Sequence, residues 1–252
     1  MTAKLARTNW DWDVESALAF ARTGDKVHPE SIHSVARRFH LLDLMSTNRG
    51  RENFNFIEAL SGDEFKRAAG IMVRQNHYVT QKCHTSLLPA LDRAGKARGE
   101  VESFIKEENG HDRILNVAMK SFSDDPESIP ASLQTKALMH LLRFAAKRNF
   151  LAFAMAIDFF ERSSYEKTDP LAQLLIKGGF DKAARQINRH MDINDAGGHE
   201  NVAVGFLAPM APVDAEYAVE ALRIAELVTL VMNSVAQSAV ELYQGDGANT
   251  AR

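Results

Sequence analysis

An all-α helical bundle is the fold class that this 252-residue chain predicts, and three observations carry the prediction. Apolar residues recur at steps of three and four almost throughout, which is the period of a helix with one buried face. Alternating Val/Ile/Thr runs bounded by turn residues, the mark of strands, are missing. Hydrophobic residues make up 45% of the chain, enough for one large core, and no repeat, low-complexity linker or composition shift divides it. A single domain over 1–252 is expected, with 1–10 and 245–252 flexible.

Punctuation residues place the elements in order. A short helix is expected from Val14 to Arg22, stopped by Gly24-Asp25. Pro29 suits the first turn of a helix reaching Ser46, and Asn48-Arg49-Gly50-Arg51 reads as loop. Ser61-x-x-Glu64 is a capping box for a long helix carrying Phe65, Ala68, Met72, Val79 and Leu87, which Pro89 should kink or end. Arg98 to Phe122 reads as one helix, closed by Ser123-Asp124-Asp125-Pro126. Pro130 opens the next, with a bend rather than a break at Arg148-Asn149, and the stripe Phe150, Phe153, Ile157 ends on Glu161. Asp169-Pro170 is a helix start with Asp as cap and Pro at the first position, and Gly178-Gly179 ends that helix. Phe180, Ala183, Ile187, His190 and Asn194 then share a face until Gly197-Gly198 disrupts it. After Pro209 and Pro212, Asp214 to Tyr243 reads as one long helix.

Composition narrows the function. A net charge of −3 argues against nucleic acid or an anionic membrane surface as the main partner. The one cysteine, Cys83, excludes an intrachain disulfide framework and suits a reducing compartment. No continuous apolar stretch opens the chain, and no window approaches the roughly 18 apolar residues of a membrane span. A cytoplasmic location, without membrane or nucleic-acid partners, is the expectation.

The chemistry concentrates at Glu107-Glu108-Asn109-Gly110-His111-Asp112. On a helix, Val101, Phe104, Glu108, His111, Leu115 and Ala118 form one inward stripe, so a carboxylate and an imidazole occupy positions meant for apolar side chains. Burying an unpaired carboxylate costs several kcal/mol, so a metal, a cation or a hydrogen-bond network must be waiting. Glu161 and His190 also point inward by period, and Asp192, Asn194, Asp195, His199 and Glu200 follow directly. Oxygen and nitrogen donors without thiolates suit iron or manganese. The Glu-x-x-His spacing is the one that carboxylate-bridged di-iron bundles use. A satisfied buried Glu/His pair without metal remains the plainer alternative. His28, His33, His40, His84 and His140 have no such company and read as surface or core residues.

These residues, over roughly Ser61 to Tyr243, resemble the haem-oxygenase-like di-iron oxidases and oxygenases. That family includes a bacterial fatty-acid decarboxylase making terminal alkenes and several N-oxygenases. Its superfamily includes the TenA thiaminases and the pyrroloquinoline-quinone synthase. The resemblance implies a haem-oxygenase-like bundle of about seven core helices holding two non-haem iron ions. It implies Glu108, His111, Glu161 and His190 as ligands and catalytic residues. It also implies dioxygen and a small amino-acid-, amine- or fatty-acid-like molecule as substrates, and a homodimer. The family's last element is usually His-x-x-x-Asp-x-x-His. Here Asn194 and Gly197 stand at those offsets from His190, with Asp195 and His199 displaced by one and two residues. Local unwinding at Ala196-Gly197-Gly198 is expected to bring Asp195 and His199 to the metal, with Asn194 as the neutral fallback. Glu107 lies off the stripe and reads as a support to the ligands.

N-oxygenation, C–C cleavage and desaturation are the reactions this implies. The alternatives are a metal-independent enzyme of the same fold, quinone-synthase-like or thiaminase-like, and a non-catalytic metal-storage bundle. A thiaminase needs a nucleophilic cysteine, and Cys83 lies away from any motif. Arg143, Lys147 and Arg148 could hold a substrate carboxylate but read as a solvated face.

Overall fold

Ten consecutive residues, Phe150 to Phe159, are all buried, and that run organises the architecture. A helix apolar on every side has no face for water, so other helices must enclose it. The computed structural model describes residues 22–23, 25–46, 49–161 and 169–250, and helices dominate them. In chain order they are α1 (Pro29–Ser46), α2 (Arg49–Glu58), α3 (Gly62–Leu87), α4 (Arg98–Glu108), α5 (His111–Met119) and α6 (Leu133–Arg148). There follow α7 (Phe150–Glu161), α8 (Pro170–Lys177), α9 (Asp181–Ala196), α10 (Val202–Leu207) and α11 (Ala215–Thr250). α1, α6, α10 and α11 pack around α7, and α11 runs on against α3 and α2. A second apolar cluster joins the first half of α3 to α5, α8 and α9 through Ala69, Met72, Leu115, Met119, Leu171 and Ile187.

Asp169 caps α8 as its residue type requires, its Oδ1 accepting from the backbone N–H of Leu171 and Ala172. Pro89 ends α3, and the chain continues as a short 3₁₀ turn over Leu88–Asp92. Gly178-Gly179 closes α8, and α9 stops at Gly197. Other expectations need correction. The helix expected from Arg98 to Phe122 breaks at Asn109-Gly110, where Gly110 takes φ +106°, a region open in practice only to glycine. Arg148-Asn149 is a break and not a bend, because Asn149 is extended at φ −148°, ψ 106°. Residues 49–51, read as loop, begin α2, which buries Asn53 and Ile57. Ser61 stands at the N-cap of α3 without a side-chain cap bond, so the capping box does not form. α6 starts at Leu133 with Ser132 as its cap, three residues after Pro130. α10 went unforeseen, and α11 runs past Tyr243, where the last helix was expected to end, to Thr250.

Strands exist after all. β1 (Arg22–Thr23), β2 (Lys26–Val27) and β3 (Val213–Asp214) form a small antiparallel sheet in that order, with Lys26 opposite Asp214 and Val27 opposite Val213. Pairs of two residues are too short to leave a period in the sequence. Apart from Arg22, the helix expected from Val14 to Arg22 lies outside the described residues.

Buried polar groups bolt these helices together. Gln75 on α3 accepts from the Ser132 N–H at 2.9 Å and the Thr135 hydroxyl at 2.8 Å, and donates to the Ile71 carbonyl. Ser238 of α11 donates to the Ser132 hydroxyl at 2.8 Å, so α3, α6 and α11 share one network. Arg74, only 2% exposed, donates to the Ile129 carbonyl and to Glu127, holding the segment before α6 against α3.

Candidate metal centre

The break at Asn109-Gly110 builds the centre. It stops α4 on Glu108 and starts α5 on His111 with both side chains still turned inward, each 5% exposed. Their helix ends are electrically the wrong ones. A carboxylate at a C-terminus and an imidazole at an N-terminus each forgo the ~0.3–1 kcal/mol that the opposite placement brings. Such a local violation is expected where function, not stability, sets the residue.

Phe104, one turn before Glu108, packs its ring against His199 with centroids 5.3 Å apart and against Phe206 at 5.8 Å. Phe206 stacks on Phe153 at 6.0 Å. That aromatic seam fixes α4, α7 and α10 to each other and brings Glu161, at the end of α7, opposite Glu108. His199 arrives by another device. Gly198 turns the chain at φ +69°, and Gly197 leaves room for the ring: a Cβ there would lie 2.8 Å from both Cδ2 and Nε2 of His199.

The donor atoms converge. His199 Nδ1 lies 2.9 Å from Glu161 Oε2 and 3.6 Å from Glu108 Oε1, and His111 Nδ1 lies 3.3 Å from Glu108 Oε1. One ligand atom from each of Glu108, Glu161 and His199 falls within 4.8 Å of the others. The His190 ring stands edge-on to His111 with centroids 5.1 Å apart. The Asn194 amide donates to Glu161 Oε2 at 3.1 Å.

Glu108, His111, Glu161, His190 and His199 therefore come together, as the sequence suggests. Asp195, expected beside them, is exposed. α9 stays helical through Ala196, so the unwinding comes after Asp195, and about 100° of helical rotation carries it away from the inward Asn194. Asn194 takes the inward place instead. Arg143, Lys147 and Arg148 are exposed, and Arg148 pairs with Glu220 at 2.7 Å, as a solvated face should.

Two features escaped the sequence. Cys83, set aside as remote from any motif, neighbours the acids: burial first, then the Glu108 and Glu161 charges, push its thiol well above its ordinary range. A thiol so held is not an activated nucleophile. His33 on α1 and Asp158 on α7, 4% and 1% exposed, meet at 3.3 Å. A lone carboxylate inside the apolar run Phe150 to Phe159 was the available signal.

Electrostatics sort the cluster into acids and bases. Burial pushes Glu108 up, but His111, then His199 and His190, outweigh it and hold its carboxyl below the usual range. Burial raises Glu161 and the Glu108 charge adds to it, against the pull of His199. Burial, with the His111 charge, depresses His190 to about 4. His199 is penalised by burial too, yet its bond to Glu161 and the charges of Glu161 and Glu108 lift it to about 9.

The set fits a metal ion. Glu108 Oε1, His111 Nδ1, His190 Nε2 and Asn194 Oδ1 are buried and make no well-formed hydrogen bond, the first two facing each other at 3.3 Å. Buried polar atoms are rarely orphaned, and four at one place are what a cation would satisfy. Mixed carboxylate and imidazole donors suit iron or manganese.

Comparison with known proteins addresses the fold. No family model and no curated protein matches the sequence. A 2.30 Å crystal structure of a domain of unknown function with a haem-oxygenase-like fold, from Shewanella denitrificans OS217, matches with a TM-score of 0.64. The match covers 86% of this chain and 94% of that one at 13% identity, a level that speaks for fold alone. Among the described residues no helix is long and apolar enough to cross a membrane. The all-α chain thus has the haem-oxygenase-like fold that its motifs resemble.

Proposed function

We propose that this protein is a non-haem iron oxidase or oxygenase that uses dioxygen to oxidise a small amino-acid-, amine- or fatty-acid-like substrate by N-oxygenation, C–C cleavage or desaturation. The observation that supports it best is the convergence of Glu108, Glu161 and His199 beside the orphaned atoms of Glu108 and His111. Glu108, His111, Glu161 and His199 would hold one iron, and His190 with Asn194 would help to hold a second. When bound, iron supplies the electrons that activate dioxygen. The chain's own residues do the rest. Asn194 keeps Glu161 turned inward, and Phe104 lies against His199 and excludes water on that side.

Anaerobic loading with ferrous iron, metal counting by mass spectrometry and oxygen uptake with amine and fatty-acid libraries test this. Two irons per chain and substrate-dependent uptake are expected. A protein that retains no iron, or whose Glu108→Ala variant retains as much, refutes it.

One observation favours a second, metal-free reading. Protonated His199 lies between Glu161 and Glu107, at 2.9 and 3.2 Å, and supplies a cation from within the chain. Turnover without any metal would select it.

A further inference from the structure

We propose that Glu107 orients His199 so that its Nδ1, and not its Nε2, is the atom offered to the metal, an inference that rests on the metal reading above. The His199 ring is held at both ends. Nε2 faces Glu107 Oε2 at 3.2 Å, while Nδ1 faces Glu161 Oε2 at 2.9 Å and Glu108 Oε1 at 3.6 Å. Turning the ring over would set C–H groups against carboxylate oxygens at both ends, so these partners fix its orientation.

The sequence shows how one ring is reached from two sides. Glu107 and Glu108 are consecutive, and consecutive helical residues diverge by about 100°. Glu108 goes inward at 5% side-chain exposure, and Glu107 stays at the rim at 49%. Ser103, one turn earlier, donates to Glu107 Oε1 at 3.2 Å and leaves Oε2 for the ring. Ser103, Glu107 and His199 thus form a relay of position that ends at Nδ1. A metal-binding imidazole ordinarily donates its other N–H to a carboxylate, which fixes the tautomer and strengthens the ligand. Glu107 is that carboxylate, and it is a positioning residue.

The test uses the full chain, labelled with ¹⁵N-histidine and loaded with Zn(II) as a diamagnetic probe. Long-range ¹H–¹⁵N spectra report which nitrogen of each ring carries a proton and which carries metal. For His199, assigned by its absence from His199→Ala, a protonated Nε2 and a metal-bound Nδ1 are expected. Glu107→Ala should weaken Zn(II) binding roughly 10- to 100-fold in chelator competition. Glu107→Gln should recover most of that loss, because its amide oxygen still accepts from Nε2–H. Metal on Nε2 in the unaltered protein, or unchanged affinity in Glu107→Ala, overturns the inference and leaves the metal reading standing. A chain that takes up no Zn(II) overturns both.

Discussion

Lowering the pH on metal-free protein should expose His190 as an acid-sensitive point, by an amount that follows from its burial. Its ordinary value is 6.5, and burial beside His111 depresses it to about 4. Between those values the unfolded chain binds a proton that the folded chain refuses, so stability falls as pH drops through the window. At about 1.4 kcal/mol per tenfold change in proton affinity, the loss from His190 comes to ~3 kcal/mol by pH 4. Other groups titrate nearby: Glu108 is held low and Glu161 high. Both are present in wild type and in His190→Asn alike, and His190 is the smallest of the three histidine influences on Glu108, so most of the difference between the proteins comes from the imidazole. Urea denaturation in the presence of chelator, at pH 7 and pH 4, is the assay. His190→Asn should gain ~3 kcal/mol on wild type between the two values. A stability difference that stays constant with pH would refute the reasoning.

Three further changes have worked outcomes. Gly178→Ala puts a Cβ 2.0 Å from Phe65 Cε1, whereas Gly99→Ala meets nothing within 4 Å. The first should lose ~1–3 kcal/mol of stability and the second gain ~0.5–1 kcal/mol, read from denaturation midpoints. Gln75→Ala leaves the buried Ser132 N–H without its acceptor and the Thr135 hydroxyl with only Ser132 Oγ, and should cost ~1–3 kcal/mol, checked the same way. Glu161→Gln keeps the shape of the centre and removes one buried charge. Because Glu161 would itself be a ligand, the variant's Co(II) affinity in chelator competition should drop by more than the roughly 10- to 100-fold that loss of a supporting residue brings, with the far-UV spectrum unchanged.

What the sequence made legible was whatever repeats along one helix. Glu108, His111, Glu161 and His190 stood out because each interrupts an apolar stripe, and a stripe is a local signal. The same signal concealed the break at Asn109-Gly110. Glu108 and His111 stay on one side across it, so the period continues although the helix does not. Asn149 hid for a similar reason, between two helices whose apolar residues run on in phase. Contacts made across the fold left no local trace. Glu107 reaches a ring 92 positions away, and Cys83 neighbours acids from two other helices. His199 was legible through its double glycine. Asp195 misled because the chain unwinds at Gly197-Gly198 as expected, but only after a still regular helix has set Asp195 on its exposed side.

Charge balance at the centre leads to one more outcome. Without metal, Glu108 and Glu161 face each other in a site closed to water, and such a pair needs a cation close by. His199 supplies it, since its folded-state value of about 9 keeps the ring protonated at neutral pH. The carboxylate pair is thus balanced from within the chain when no metal is bound. The proton on Nδ1 occupies the very atom that a metal requires, and imidazole binds metal only after giving that proton up. Metal uptake at pH 7 should then release about one proton per chain from His199. Calorimetric titration with Co(II) in two buffers of unlike ionisation enthalpy measures that number. The release should fade as pH rises past about 9, where the free ring has already lost its proton. Uptake with no proton released at neutral pH would mean that His199 is not the internal cation, and the charge balance drawn from its two carboxylate partners would fall.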